Sequence, residues 1–272
     1  MIIKFINIGG GECMFESKVD NSKLGKTEKN ELEIVDTKQK NITWKVGSAG
    51  EKIWMGNLVA EPNANSNAQH HEQSDTVHYV LNGEAMFYYG EGYKNAVQLN
   101  EGDFIYIPPY QPYMYQNNSD SETLNIITTM APTYQVIYLD KDEAVVNPEA
   151  ANDQEISVVK ASDLIDSTDQ TKNMPRRTAV QASNLWIGRV TGEAGMDSGT
   201  HHHGEAETAG FIISGTTKLL YGEGYEDYEE YNPGDFLRVP TYLPHIERNP
   251  SETEPIEFLT ARNPRNIVVN ID

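Results

Sequence analysis

The chain repeats itself, and any fold proposed for it has to fit twice. From Trp54 onward, residues 132 positions apart agree without a gap over about eighty positions. Trp54 pairs with Trp186, Gly56 with Gly188 and Gly83 with Gly215. The run Tyr89 to Tyr93 (YGEGY) recurs as Tyr221 to Tyr225, and Gly102-Asp103-Phe104 recurs as Gly234-Asp235-Phe236. Pro108, Asn117 and Pro132 meet Pro240, Asn249 and Pro264. A period this long is a duplicated domain, far above the periods of solenoid repeats. Within each copy, runs rich in Tyr, Ile, Val and Phe are broken by Gly, Pro and Asn about every eight to twelve residues. That rhythm predicts an all-β domain of sandwich or barrel type.

The second copy carries the chemistry. Gly195 opens a stretch that reaches His201-His202-His203 and closes at Pro240, His245 and Asn249. Histidines at i and i+2 on a strand share one face, and a third from a later strand can meet them. Three neutral imidazoles in a protected cavity make a site for a divalent transition metal. The stretch resembles the two signature motifs of the cupin superfamily, G-x5-H-x-H-x3,4-E-x6-G and G-x5-P-x-G-x2-H-x3-N. Gly195, His201, His203 and Gly215 match the first motif, and Gly234, Pro240, His245 and Asn249 match the second. The resemblance implies two tandem jelly-roll barrels, a bicupin, with a metal on His201, His203 and His245. It leaves the reaction open, since one fold hosts many chemistries.

Two positions depart from the motifs. Thr208 stands where the family's metal-binding glutamate usually stands, and Tyr242 replaces a glycine. Without the glutamate the site resembles that of cupin dioxygenases, which activate O2 at ferrous iron with three histidines. The expectation is therefore a mononuclear iron dioxygenase with one metal per chain, acting on a small organic substrate with O2. The alternatives are a non-redox isomerase, cyclase or lyase using zinc, nickel or manganese, or a binding protein without turnover. Glu207, beside Thr208, is a candidate fourth ligand if a β-bulge before Gly215 turns it inward. Glu247, two residues past His245, is a candidate general base. Thr208, Arg189, Arg262 and Tyr242 are candidates for substrate binding, the arginines through a carboxylate and Tyr242 with Trp186 and Tyr221 as aromatic lining.

In the first copy Gln69 replaces His201, Tyr113 replaces His245, and His71 alone is kept. His78, matching Gly210, lies two residues past Thr76 and faces the same way. Gln69, His71, His78 and Tyr113 are expected to share a hydrogen-bonded pocket without metal. His70 and His202 are expected to face outward.

Residues 1–40 read as an extension with strands at Ile2 to Ile8 and at Glu33 to Val35, around a turn at Gly9-Gly10-Gly11. Barrels are expected over 41–140 and 173–272, joined by a polar segment over 141–172 with a strand at Ile156 to Val159 and a short helix after Ser162. Net charge of −20 speaks against nucleic acid and anionic membrane as partners. Cys13 is the only cysteine, which suits a reducing compartment, and no apolar run approaches a membrane span or a signal peptide. A cytoplasmic protein is expected, and the resemblance adds a homodimer paired through edge strands.

Overall fold

The computed structural model describes residues 2–8, 12–35, 37, 39–139, 155–167 and 171–271. The turn at Gly9-Gly10-Gly11 and most of the segment 141–172 lie outside the described residues. Described residues are almost entirely strand and turn, with single 3-10 turns at Glu91–Tyr93, Ala161–Asp163 and Glu223–Tyr225. The short helix expected after Ser162 is not formed: Ser162 lies inside the second of these turns, and Ile165–Asp166 beyond it is a strand that pairs with Arg177 and Thr178. Among the described residues no helix is long and apolar enough to cross a membrane.

The chain packs as two compact units whose residues are not collinear. One comprises 1–18, 33–46 and 56–163, and the other 19–32, 47–55 and 164–272. Where the sequence reading kept residues 1–40 together, the structure gives residues 19–32 to the second unit. The physical reason is a strand: Gly25–Thr27 joins the second unit's edge strand Phe236–Val239, Phe236 opposite Thr27. In the first unit Ser157–Val159 adds to the equivalent strand Phe104–Ile107. Each added strand is anchored by the aspartate of a repeated turn. Asp235 accepts from Lys29 N at 3.1 Å, and Asp103 from Ala161 N at 3.1 Å.

Each unit is a jelly roll of two layers. In the first, one seven-stranded sheet runs Ile2–Ile8, Glu12–Lys18, Gln135–Tyr138, Gln69–His70, Tyr113–Asn117, Ala85–Tyr89 and Asn95–Leu99. The other is centred on Asp75–Asn82 and Leu124–Ala131. In the second unit, Glu207–Ser214 and Ile256–Asn263 lie at the heart of a seven-stranded sheet. The opposing layer pairs His201–His202 with Val269–Asn270, and Thr217–Tyr221 with Asp227–Tyr231 and Ile246–Arg248. Ile212 and Phe258 from one layer and Leu219 and Tyr231 from the other share a single buried cluster, so the layers close on one core.

The repeat is explained residue by residue. In the YGEGY turn both glycines take left-handed backbone, φ 77° and 62° at Gly90 and Gly92, 79° and 65° at Gly222 and Gly224. The motif asparagine proves to be a loop clamp. Asn249 Nδ2 donates to Glu193 O at 3.0 Å and Glu254 O at 2.8 Å, and Asn117 Nδ2 to Ala60 O and Glu122 O at 3.0 and 2.8 Å.

Gly47 shows how closely the second unit is filled. A Cβ there would stand 2.2 Å from the ring of Phe236, itself fully buried. Gly47→Ala is expected to lower stability by ~1–3 kcal/mol, read as a urea midpoint, while Lys45→Ala on the same strand shifts it by less than about 0.5 kcal/mol.

A candidate metal centre

Backbone pairing brings the three histidines of the second unit together. His201 N donates to His245 O at 3.1 Å and His245 N to His201 O at 2.9 Å, so the two residues stand side by side. His203, two residues along, turns to the same face. Ring centroids are 4.4 Å apart for His201 and His245, 5.1 Å for His201 and His203, and 4.9 Å for His203 and His245. Glu247, on Ile246–Arg248, follows His245 by two and shares its face. One donor atom from each of the four lies within 4.8 Å of the others, and all four side chains are buried.

The far side of each ring decides which nitrogen is offered. His201 Nδ1 faces Gly199 O at 3.2 Å, His203 Nδ1 faces Ile267 O at 3.0 Å, and His245 Nδ1 faces Leu243 O at 2.9 Å. A carbonyl only accepts, so in the neutral ring the hydrogen sits on Nδ1 and the Nε2 lone pair points into the cluster. Burial lowers the pKa of His203 well below the ordinary value, with Arg262 adding to it. Burial likewise takes His245 down to about 4. Burial works to raise Glu247, but His201, His245 and Arg176 outweigh it and hold the carboxyl below its usual range.

These residues fit a divalent transition ion. His201 Nε2 stands 3.1 Å from Glu247 Oε2, and neither atom has a hydrogen-bond partner, nor has His245 Nε2. Two acceptors at that distance repel unless a proton or a cation lies between them. Three imidazoles and one carboxylate suit Mn, Fe, Ni or Zn.

Arg262 borders the cluster. Its Nη2 lies 3.1 Å from His203 Nε2, its Nε donates to Thr208 Oγ1 at 3.2 Å, and its Nη1 bonds Asn266 Oδ1. The guanidinium lies over Trp186, 5.6 Å from the ring centroid. Arg176 shares Asn266 Oδ1 at 3.3 Å and bonds Thr171 Oγ1. Arg262 and Thr208 are thus at the site, and Arg176 and Asn266 were missed by sequence reasoning. The signal was available: the repeat runs upstream to Lys40 and Lys172, and there Arg176 stands opposite Trp44, just as Arg262 stands opposite Met130.

Other expectations are redirected. Thr208 lies opposite Arg262 in the sheet, so its neighbour Glu207 takes the other face. The register does shift between Ile212 and Ser214, but Glu207 is not brought to the histidines. It accepts instead from Arg238 Nε at 2.6 Å and from Lys52 N at 2.7 Å. The acid that joins the histidines is Glu247, read from sequence as a general base. Arg189 pairs with Glu257, away from the cluster. Tyr242 is 62% exposed, because its backbone is left-handed, φ 57°, which suits the family's glycine and turns the ring outward against His202. Tyr221 is partly buried against the core.

In the first unit Gln69, His71, His78 and Tyr113 do share a fully buried pocket, 2% exposed at most. Gln69 Nε2, His71 Nε2 and His78 Nε2 lie 2.8, 2.7 and 2.7 Å from the Tyr113 hydroxyl. His70 and His202 are only partly buried, and each Nδ1 accepts a backbone N–H, from Glu72 and Gly204.

Two outcomes separate these assignments. Glu247→Gln should weaken metal affinity by about tenfold or more. Glu207→Gln should leave metal content at the wild-type value while costing ~1–3 kcal/mol of stability through Arg238. Dialysis, elemental analysis and urea unfolding read both. The buried imidazoles also set an acid limit. Burial takes His71 down to about 4 from 6.5, and His78 well below 6.5. As pH falls from 6.5 toward 4 the unfolded chain takes protons that the fold refuses, so stability drops through that window, by up to ~1.4 kcal/mol per pH unit for each histidine. A urea midpoint that stays flat over that window would contradict the buried neutral rings.

Comparison with known proteins agrees with this architecture. A cupin-domain family model matches residues 58–129 and 188–262. No curated protein matches the chain in sequence. Among solved structures, oxalate decarboxylase from Bacillus subtilis at pH 4.6 superposes with a TM-score of 0.65 at 16% identity, over 94% of this chain and 80% of that one. A structure from work on the Mn(II) centres of the same enzyme gives 0.66 at 14% identity, over 94% and 81%. A third, concerned with an element that modulates proton-coupled electron transfer, gives 0.67 at 15% identity, over 94% and 81%. At such identity these likenesses speak for the fold alone. With one family match in each copy of its repeat, together more than half of the 272 residues, the chain belongs to the cupin family as a two-domain, bicupin member.

Proposed function

We propose that this bicupin is a cytoplasmic metal-dependent enzyme of the lyase type, acting on a small carboxylic acid without consuming O2. One divalent ion per chain, manganese foremost, would be held by His201, His203, His245 and Glu247. The observation that carries this reading is Glu247 beside the three imidazoles. The iron dioxygenase expectation rested on a site of neutral nitrogen ligands. A carboxylate ligand removes that basis, and it suits manganese better than an all-imidazole set does. Similarity in fold to a decarboxylase studied for its Mn(II) centres supports the same choice. A homodimer belongs to the same proposal.

When bound, such an ion supplies Lewis acidity, polarising an oxygen of the substrate. The chain supplies orientation. Arg262 is pinned by Thr208, Asn266 and Trp186 with its Nη2 at the mouth of the ligand cluster. Once the His203 lone pair is engaged, that N–H is available to a substrate oxygen, and a guanidinium fork matches a carboxylate in two parallel hydrogen bonds. Backbone carbonyls hold the three rings in one tautomer, so the site needs no rearrangement to receive its ligand. Burial of all four donor side chains keeps bulk water from competing with that ligand.

The test is turnover of protein reloaded with Mn2+, Fe2+, Ni2+ or Zn2+. Short-chain hydroxy, keto and dicarboxylic acids are supplied while CO2 release, product and O2 are followed together. Turnover with no O2 uptake is expected. Arg262→Met, which installs the first copy's residue, should lower kcat/KM by roughly 10–100-fold. One O2 consumed per product would overturn the lyase reading in favour of a dioxygenase.

A further inference from the structure

In the first unit one nitrogen from each of Gln69, His71 and His78 is aimed at a single atom, the phenolic oxygen of Tyr113. The protons around it can be assigned. His71 Nδ1 faces Gln135 O at 2.8 Å, so it carries the hydrogen of the neutral ring and its Nε2 is bare. The Tyr113 hydroxyl therefore donates to His71 Nε2 and accepts from Gln69 Nε2. His78 Nε2 donates to it as well, which leaves His78 Nδ1 to accept from Thr128 Oγ1 at 2.8 Å. One donor and two acceptor positions are used, so the hydroxyl is saturated.

The second unit shows what this focus corresponds to. Tyr113 pairs with Gln69 across the strands as His245 pairs with His201. A phenol outreaches an imidazole by about one metal–nitrogen bond, ~2 Å. The Tyr113 oxygen therefore stands about where an ion held by an imidazole at this position would stand.

We propose that the first unit contains a masked metal site, in which the Tyr113 hydroxyl takes the place of a divalent ion inside a ligand set of His71, His78 and Gln69. His71 keeps the anchoring of a ligand: its Nδ1 contact with Gln135 O repeats that of His203 with Ile267 O. Gln69 Oε1 is buried without a hydrogen-bond partner, so a half-turn of the amide would present that oxygen to an ion. Trp44 and Met130 stand where the second unit has Arg176 and Arg262, so neither of those guanidinium charges opposes an ion here. Two or three imidazoles with an amide oxygen suit Co2+ or Zn2+.

Titration of metal-stripped protein with Co2+, followed by visible absorption and elemental analysis, tests this. Wild type should take up one equivalent, and two would overturn the masking outright. The decisive background is His245→Ala, which disables the second unit's site. There, Tyr113→His should restore one equivalent of Co2+, with the absorption of nitrogen ligation, and adding His71→Ala should abolish it. Tyr113→Ala, which vacates the focus without adding a ligand, should bind Co2+ at least tenfold more weakly than Tyr113→His. A Tyr113→His chain in that background, or Tyr113→Ala if the former does not fold, that keeps its near-ultraviolet circular dichroism yet takes up no Co2+ would overturn the proposal.

Discussion

Two backbone hydrogen bonds between residues 201 and 245 hold the chemistry of this protein in place. They set the side chains of two distant strands abreast, and the alternation of strand residues does the rest. His203 and Glu247 come to the same point because each lies two residues from a member of the pair. The same pairing, Gln69 with Tyr113, recurs in the first unit and gathers a polar cluster there also. What differs is only which side chains the register delivers. In one unit they are bases with lone pairs left over, in the other a hydroxyl whose own hydrogen-bonding positions are all taken by its neighbours.

A second conserved element of the duplication is an acid that never enters the site. Glu207 and its counterpart Asp75 are both buried, one paired with Arg238 and the other accepting from Tyr106 at 2.6 Å. Arg238 and Tyr106 occupy equivalent positions, so the partner changed while the acid stayed. A buried carboxylate is tolerated only with a donor against it, and each copy found its own. The acid that reaches the histidines came from the strand of the third histidine.

Much of this was legible in the sequence. The repeat, the all-β rhythm and the spacing of His201, His203 and His245 lead to two jelly rolls and to the place of the cluster. Glu207 and Glu247 could not be ranked from spacing, because the choice turns on which face of Glu207–Ser214 looks inward. Thr208 settles that by lying opposite Arg262. Tyr242 reads as aromatic lining until the backbone shows its positive φ. Arg176 needed only ten more residues of the alignment. The pairing of Gly25–Thr27 with Phe236–Val239 leaves no local trace, since its partners are some two hundred residues apart.

That pairing, with the rest of the crossing segments, bears on how such a protein can evolve. Residues 19–32 and 47–55 precede the first copy's motifs yet build the second unit. The Lys52 amide caps the buried Glu207 carboxylate at 2.7 Å, and Gly50 is bare because any Cβ would stand 2.4 Å from the same group. A gene encoding the second copy alone would lack these pieces, and a gene shortened from the front would lose them first. Duplication is commonly a licence for one copy to drift or be discarded. Here the copies have exchanged parts, and the first barrel cannot be shed without taking with it segments that build its twin.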